Sequence, residues 1–261
     1  MHAPAPHAPL YAPDRKPLYL QPSQSQRVDA GPDHLLLRRD TGAPLRFPLA
    51  RIARVVCNTH THWSGHAIAL CLQNAIPIIW VNGHGHALGH TAPVPARTAA
   101  LETLLDSYLE LKDWRPRFDN WLIHRRLHIL HAWAQTQPPG LDAERYGALK
   151  RSFVQNGQIP PGFAPEGAGY SHALVAEQLA RQDLHMVYWG FDGQALALGQ
   201  DLAALLWGQL NLESGTLANI AGSGQLPAHL FEARAHGLAL QLQGHLGSLK
   251  CHLAREVDAW Q

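Results

Sequence analysis

Residues 45–94 read LRFPLARIARVVCNTHTHWSGHAIALCLQNAIPIIWVNGHGHALGHTAPV, and this stretch decides the fold. Ile52, Val55 and Val56 form a β-branched run that reads as a strand. From His66 to Gln73 the apolar residues Ile68, Leu70, Cys71 and Leu72 predict a short helix, apolar nearly all round. Ile76–Val81 is a second strand, with Pro77 at its start, where a missing N–H is tolerated. Asn82-Gly83 is a strong turn signal, and Ala87-Leu88-Gly89 can return as a further strand. Working upstream, Leu18–Leu20 and His34–Arg39 are expected to form a first hairpin. Asp40-Thr41-Gly42 then turns the chain towards Leu45–Leu49.

Downstream the pattern changes to helices. Val94-Pro95 marks the junction, because a residue before proline is pushed away from helical geometry, and Thr98 can cap the first helix beyond it. Leu101, Leu104, Leu105, Tyr108 and Leu111 predict a helix over 99–111. Arg115-Pro116 is expected to break it before a second helix over 120–134. A Pro- and Gly-rich stretch over 137–169 surrounds one short helix at 143–154. Further helices are expected at 171–181, 194–210 and 227–260. The fold class is therefore α+β, a small β-rich N-terminal domain followed by an all-α domain. The expected divisions are an N-terminal arm over 1–17, a head over 18–94 and a helical lobe over 95–261.

Composition narrows the function classes. The 261 residues include 46% hydrophobic and 16% charged positions, which fits a packed core and not a charged, disordered tail. A net charge of +1 gives no global nucleic-acid signal, so any such role needs a local basic surface. Cys57, Cys71 and Cys251 form no C-x-x-C pair, which points to a reducing compartment and a cytoplasmic location. No apolar run is long enough to span a bilayer, and the Pro/Ala/His-rich start lacks the apolar core of a signal peptide.

The pattern Pro48-Leu49-x-Arg51-Ile52-x-x-Val55-Val56, the short helix, and Ile76-Pro77-x-x-Trp80 followed by Gly85-x-x-Leu88-Gly89 together resemble one family. From Leu18 to about Val94 the chain resembles the N-terminal domain of the CRISPR adaptation integrase, Cas1. The resemblance lies in a packing framework and so speaks to fold before activity. It implies a homodimer paired through the β heads, double-stranded DNA as ligand, and a Cas2-like protein or other CRISPR complex subunits as partners. It also implies a Glu, a His and an Asp that hold Mg²⁺ or Mn²⁺ for attack of a DNA 3′-hydroxyl on a phosphodiester.

The family's Glu sits in a Gly-x-Glu-Gly turn that begins a helix. In Tyr188-Trp189-Gly190-Phe191-Asp192-Gly193 the resemblance places Asp192 there, and the plain alternative is that Asp192 caps a helix. His245, His252 and Asp258 are nearby candidates for the other ligands, though none stands in a motif. The chain closes before a complete set can be assigned, so integrase and endonuclease chemistry is expected to be impaired or lost.

Two further readings come from the residues themselves. His60-x-His62-x3-His66 is similar to the metal motif of metallo-β-lactamase-fold hydrolases, with Ser64 in place of the Asp, and would make the protein a zinc-dependent hydrolase. His84-x-His86-x3-His90 repeats that spacing, in a composition with 18 His. Finally, Arg115, Arg117, Arg125, Arg126, Lys150 and Arg151 lie in the helical lobe among Trp114, Trp121 and Trp133 and could neutralise DNA phosphates. Asp106, Glu110, Asp113 and Asp119 share the region and would blunt the field.

Overall fold

The computed structural model describes residues 15–21, 25–39, 42–91, 100–137, 142–182, 184–190, 196–220 and 227–259, with backbone only over 215–220. Asp192, the junction at 94–95 and most of the N-terminal arm lie outside the described residues.

β5 (Ile52–Asn58) organises the head. Its first six residues are all buried, as expected of a strand covered on both faces. β1 (Lys16–Leu20) pairs parallel to one side of it, from Lys16↔Ile52 to Leu20↔Cys57. β7 (Ile78–Val81) pairs parallel to the other, from Val55↔Ile78 to Asn58↔Val81. β8 (Ala87–Thr91) returns antiparallel on β7. The turn joining them is held by Asn82 Oδ1, which accepts the N–H of His84 at 2.9 Å and of His86 at 3.0 Å. Between β5 and β7 lies α1 (Gly65–Gln73), capped by Ser64, whose Oγ accepts the Ala67 N–H at 3.2 Å.

A second sheet runs in the order β4 (Leu45–Pro48), β3 (His34–Arg39), β2 (Gln26–Ala30), β6 (Thr61–Trp63). The expected hairpin of Leu18–Leu20 with His34–Arg39 does not form. β3 instead pairs with β2, Val28 opposite Leu37, while β1 belongs to the other sheet. β2 was hidden because QRVDA alternates polar and apolar residues with a single branched aliphatic, Val28. The two sheets enclose one core of Leu20, Val28, Leu35, Leu37, Val55 and Cys57, with Cys71 of α1.

The helical lobe comprises α2 (Ala100–Leu109), α3 (Trp114–Gln135), α4 (Ala143–Leu149), α5 (Glu166–Arg181), α6 (Leu198–Ile220) and α7 (Pro227–Asp258). α4 runs on into a π-helical turn over Lys150–Gln155. α3 begins at Trp114, so Pro116 does not break it. As the third residue of the first turn, Pro116 lacks only an N–H that would have had no helical partner. α5 is the central helix, with thirteen of its sixteen residues buried. Its small residues let other elements approach: a Cβ on Gly169 would lie 2.4 Å from Val81 Cγ1 and 2.5 Å from the Gly85 carbonyl oxygen. Val56, Ile79 and Val81, on the sheet face turned away from the two-sheet core, therefore pack into the helical core. The β-rich N-terminal region followed by a helical C-terminal region is the expected fold class. Among the described residues no helix is long and apolar enough to cross a membrane.

Candidate nucleic-acid interface

α3 and α7 are each amphipathic, and their polar edges meet. α3 buries Phe118, Trp121, Leu122, Ile129, Leu130 and Trp133. α7 buries Leu238, Leu242, Leu246, Leu249, Leu253 and Val257 at spacings of three and four. The helices run antiparallel, stitched by an Arg117–Glu256 ion pair, by Trp121 Nε1–H donating to Ser248 Oγ at 3.2 Å, and by Arg125 Nε–H donating to His245 Nδ1 at 3.0 Å. Along this seam lie two hollows that share Arg125, of about 650 and 510 Å³. Arg117, Arg125, Arg234 and Arg255 line them, against the carboxylates Glu213 and Glu256. The groove is therefore locally basic in a chain that is nearly neutral overall.

The six basic residues singled out from sequence are not brought to one surface. Arg117 and Arg125 line the groove, but Arg117 is also held by Asp113 at 2.9 Å. Arg115 pairs with Asp119 at 3.2 Å and lies 5.8 Å from the Trp114 ring. Arg126 is half-buried, with its guanidinium against Gly157; burial lowers its pKa, while Asp201 and Asp119 pull the other way. Lys150 and Arg151 are exposed on the π-helical turn, which packs beside α3. The acidic residues thus blunt Arg115 and Arg117, as the sequence implied. Arg125 escapes them.

His245, Ser248 and Arg255 complete the groove and were not grouped with these arginines by sequence. The signal was present in α7 as polar residues at positions 245, 248 and 255, one helical face beside the leucine stripe.

The histidine clusters are dispersed. His60 lies in the β5–β6 turn, its N–H bonded to Asn58 Oδ1 at 3.1 Å; His62 is on β6 and His66 begins α1, all three exposed. His84 and His86 occupy the β7–β8 turn, whereas His90 is turned inward and stacks on Trp189 with centroids 4.7 Å apart. Burial, then the neighbouring His172, pushes His90 down to about 3, and burial pushes His172 down to about 4. Among the described residues no group of three or more His, Cys, Asp or Glu side chains is placed to hold a metal ion. The zinc-hydrolase alternative gains no support from this arrangement.

Nor do His245 and His252 fit a hard divalent cation. His245 has its Nδ1 lone pair occupied by Arg125, and His252 Nε2 lies 3.3 Å from the Tyr108 hydroxyl. Asp258 is exposed at the end of α7. A Glu-Gly pair opening a helix does occur, at Glu166-Gly167, the first residues of α5. That is the feature the family resemblance sought at Asp192. The pair is legible in the sequence, but lies in the Pro/Gly-rich stretch read as a loop.

The groove is fixed against the head by a buried ionic clasp. Arg54 of β5 donates to Glu177 of α5 at 2.5 Å and to Glu232 of α7 at 2.6 Å. Glu232 also accepts from the Tyr19 hydroxyl of β1, and Glu177 is held by Arg181 at 2.7 Å. Burial works against the Arg54 cation, yet Glu232, Tyr19 and Glu177 hold its pKa above the ordinary guanidinium value. Burial raises the Tyr19 phenol far above its usual range.

A two-sheet head joined through a shared sheet to a lobe built on a buried central helix is an architecture this chain shares with solved Cas1 structures. Residues 18–118 match the family model for "CRISPR associated protein Cas1". No curated protein sequence matches the chain. Among solved structures it is similar to a CAS1 protein from Thermotoga maritima, with a TM-score of 0.63 and 11% identity over 92% of this chain and 96% of that one. It is similar to TtCas1 in a complex with DNA, with a TM-score of 0.58 and 15% identity over 88% and 91% of the two chains. It also matches a chain of a Cas6-RT-Cas1–Cas2 complex, with a TM-score of 0.60 and 11% identity over 92% of this chain and 36% of that one. At these identities the structural likeness speaks to fold.

Proposed function

We propose that this protein binds double-stranded DNA within a CRISPR system, in spacer acquisition or as a structural subunit, and that its own integrase chemistry is impaired or lost. The observation that carries the DNA reading is the basic groove between α3 and α7, in a fold shared with a Cas1 protein solved on DNA. Guanidinium groups along a helical seam neutralise phosphates without reading sequence. Arg117 and Arg125 line that seam, while Arg115, Arg126, Lys150 and Arg151 lie outside it on the helical lobe. The likeness to a chain of a Cas6-RT-Cas1–Cas2 complex supports a Cas2-like partner, and pairing with a second copy is what the resemblance of the head implies.

The chemical half of the reading rests on the donor set. Glu166 could serve as one carboxylate, with Asp192 as the other candidate, and Mg²⁺ or Mn²⁺ would supply activation of a 3′-hydroxyl if held. The two histidines weighed as further ligands do not fit that ion: His245 stands beside a guanidinium, and His252 is engaged by Tyr108. A strand-joining assay with a repeat-containing duplex, a 3′-hydroxyl strand and Mn²⁺ or Mg²⁺ tests this. Binding without joined product is expected. Joining that is abolished by Asp192→Ala or Glu166→Gln would overturn the impaired reading.

A further inference from the structure

The groove's basic lining is not evenly neutralised: among the described residues Arg125 and Arg255 have no ion pair, and Arg125 is the one that both hollows share. Arg117 faces Asp113 and Glu256, Arg115 faces Asp119, and Arg234 faces Glu213 at 3.3 Å. Arg125, where the two hollows meet, has no ion pair among the described residues. Its Nε–H goes to His245 and its Nη1 lies 3.5 Å from Ser248 Oγ, both neutral partners. Burial lowers its pKa, with no carboxylate acting to raise it.

The hydrogen bond from Arg125 also fixes the state of His245. A ring nitrogen that accepts carries no proton, so Nδ1 is the bare nitrogen and Nε2 carries the hydrogen. His245 is 2% exposed and lines the groove, and its Nε2 has no hydrogen-bond partner among the described residues. An unmet buried donor is costly, of order 1–3 kcal/mol. Burial lowers the His245 pKa, and Arg125 and then His128, one turn along α3 on the exposed rim, lower it further. Glu213, the nearby carboxylate, is occupied by Arg234 and by Gln209 at 2.8 Å. What this corner lacks is an acceptor carrying negative charge.

We propose that Arg125, His245 and the rim residue His128 form a seat for a single phosphate group, the anchoring point for a nucleic-acid backbone laid along the α3–α7 groove. The inference rests on the DNA-binding reading for its ligand's source, while the seat itself is defined by local chemistry. A phosphate offers several acceptor oxygens at once, meeting the charge of Arg125, which His245 Nδ1 holds in place, beside the exposed His128. A metal cation would meet the same donors and the same positive potential, and is repelled.

The test compares wild type, Arg125→Gln and Arg125→Lys, each checked for an unchanged melting temperature. Binding of a fluorescent DNA duplex is measured across a salt series, and binding of inorganic phosphate and of a 5′-mononucleotide by calorimetry. Expected is a roughly tenfold loss of duplex affinity in Arg125→Gln, with the salt slope shallower by about one. Arg125→Lys, which keeps the charge, retains the slope. Unchanged affinity and slope in Arg125→Gln overturn the seat while leaving DNA binding intact. Absent DNA binding with phosphate binding that Arg125→Gln removes upholds the seat and overturns its nucleic-acid source. Loss of both ligands in wild type overturns both.

Discussion

Arg54 joins three elements through one side chain, which makes it the most informative single residue to remove. Its guanidinium is buried with Glu177, and Glu232 and Tyr19 complete the cluster. Arg54→Ala leaves buried carboxylates without their cation, and is expected to destabilise the protein by about 3–5 kcal/mol in urea denaturation. A loss under about 1 kcal/mol would mean that the clasp is not closed in solution. Asp201 gives the opposite case. Burial pushes it up to about 6, against the pull of Arg115 and Arg126. The folded state therefore binds more protons than the unfolded chain between pH 4 and 6, and stability falls as pH rises through that window. Asp201→Asn should raise stability at pH 7 by about 1–3 kcal/mol and flatten that slope, measured by the same denaturation at both pH values. Neither role was legible beforehand. Within IARVV, Arg54 reads as an outward polar residue of a strand, because a pair across 123 positions leaves no local signal.

At the scale of elements, the apolar strands and helices with clear periodicity were legible: β5, α1, β7, the return of β8, and the leucine stripe of α7. What failed was governed by less common rules. β2 has one branched aliphatic and is specified by its pairing with β3. α3 tolerates Pro116 because the proline falls in the first turn. α5 begins at Glu166, ahead of the expected Ser171, because its first residues Gly167 and Gly169 exist to admit neighbours. The β7–β8 turn depends on the same close approach. Gly85 has φ of 78°, and a Cβ there would lie 2.2 Å from Glu166 Cα. Gly85→Ala is therefore expected to cost at least about 1–3 kcal/mol, read as a lowered melting temperature, whereas Gly83→Ala, which meets open space, should cost less.

For the molecule as a whole, three buried histidines set the acid limit. Burial holds His90 near 3 and His172 and His245 near 4, against about 6.5 in an unfolded chain. The unfolded state takes up protons first, so their stabilisation is full above pH 6.5 and is lost as pH falls towards 4. At pH 5 each contributes a loss of about 1–2 kcal/mol, partly offset by Asp201. The resemblance of residues 18–118 to the Cas1 family model was legible from the head alone, because its strands and short helix are local patterns. The basic groove was not, because it is assembled from faces of α3 and α7 more than a hundred residues apart. The most direct test of the account is therefore duplex DNA binding by the intact protein across 50–200 mM salt. Binding with a logarithmic affinity that falls linearly with log salt is the predicted result. Absence of binding at the lowest salt, or binding that salt does not weaken, would contradict it.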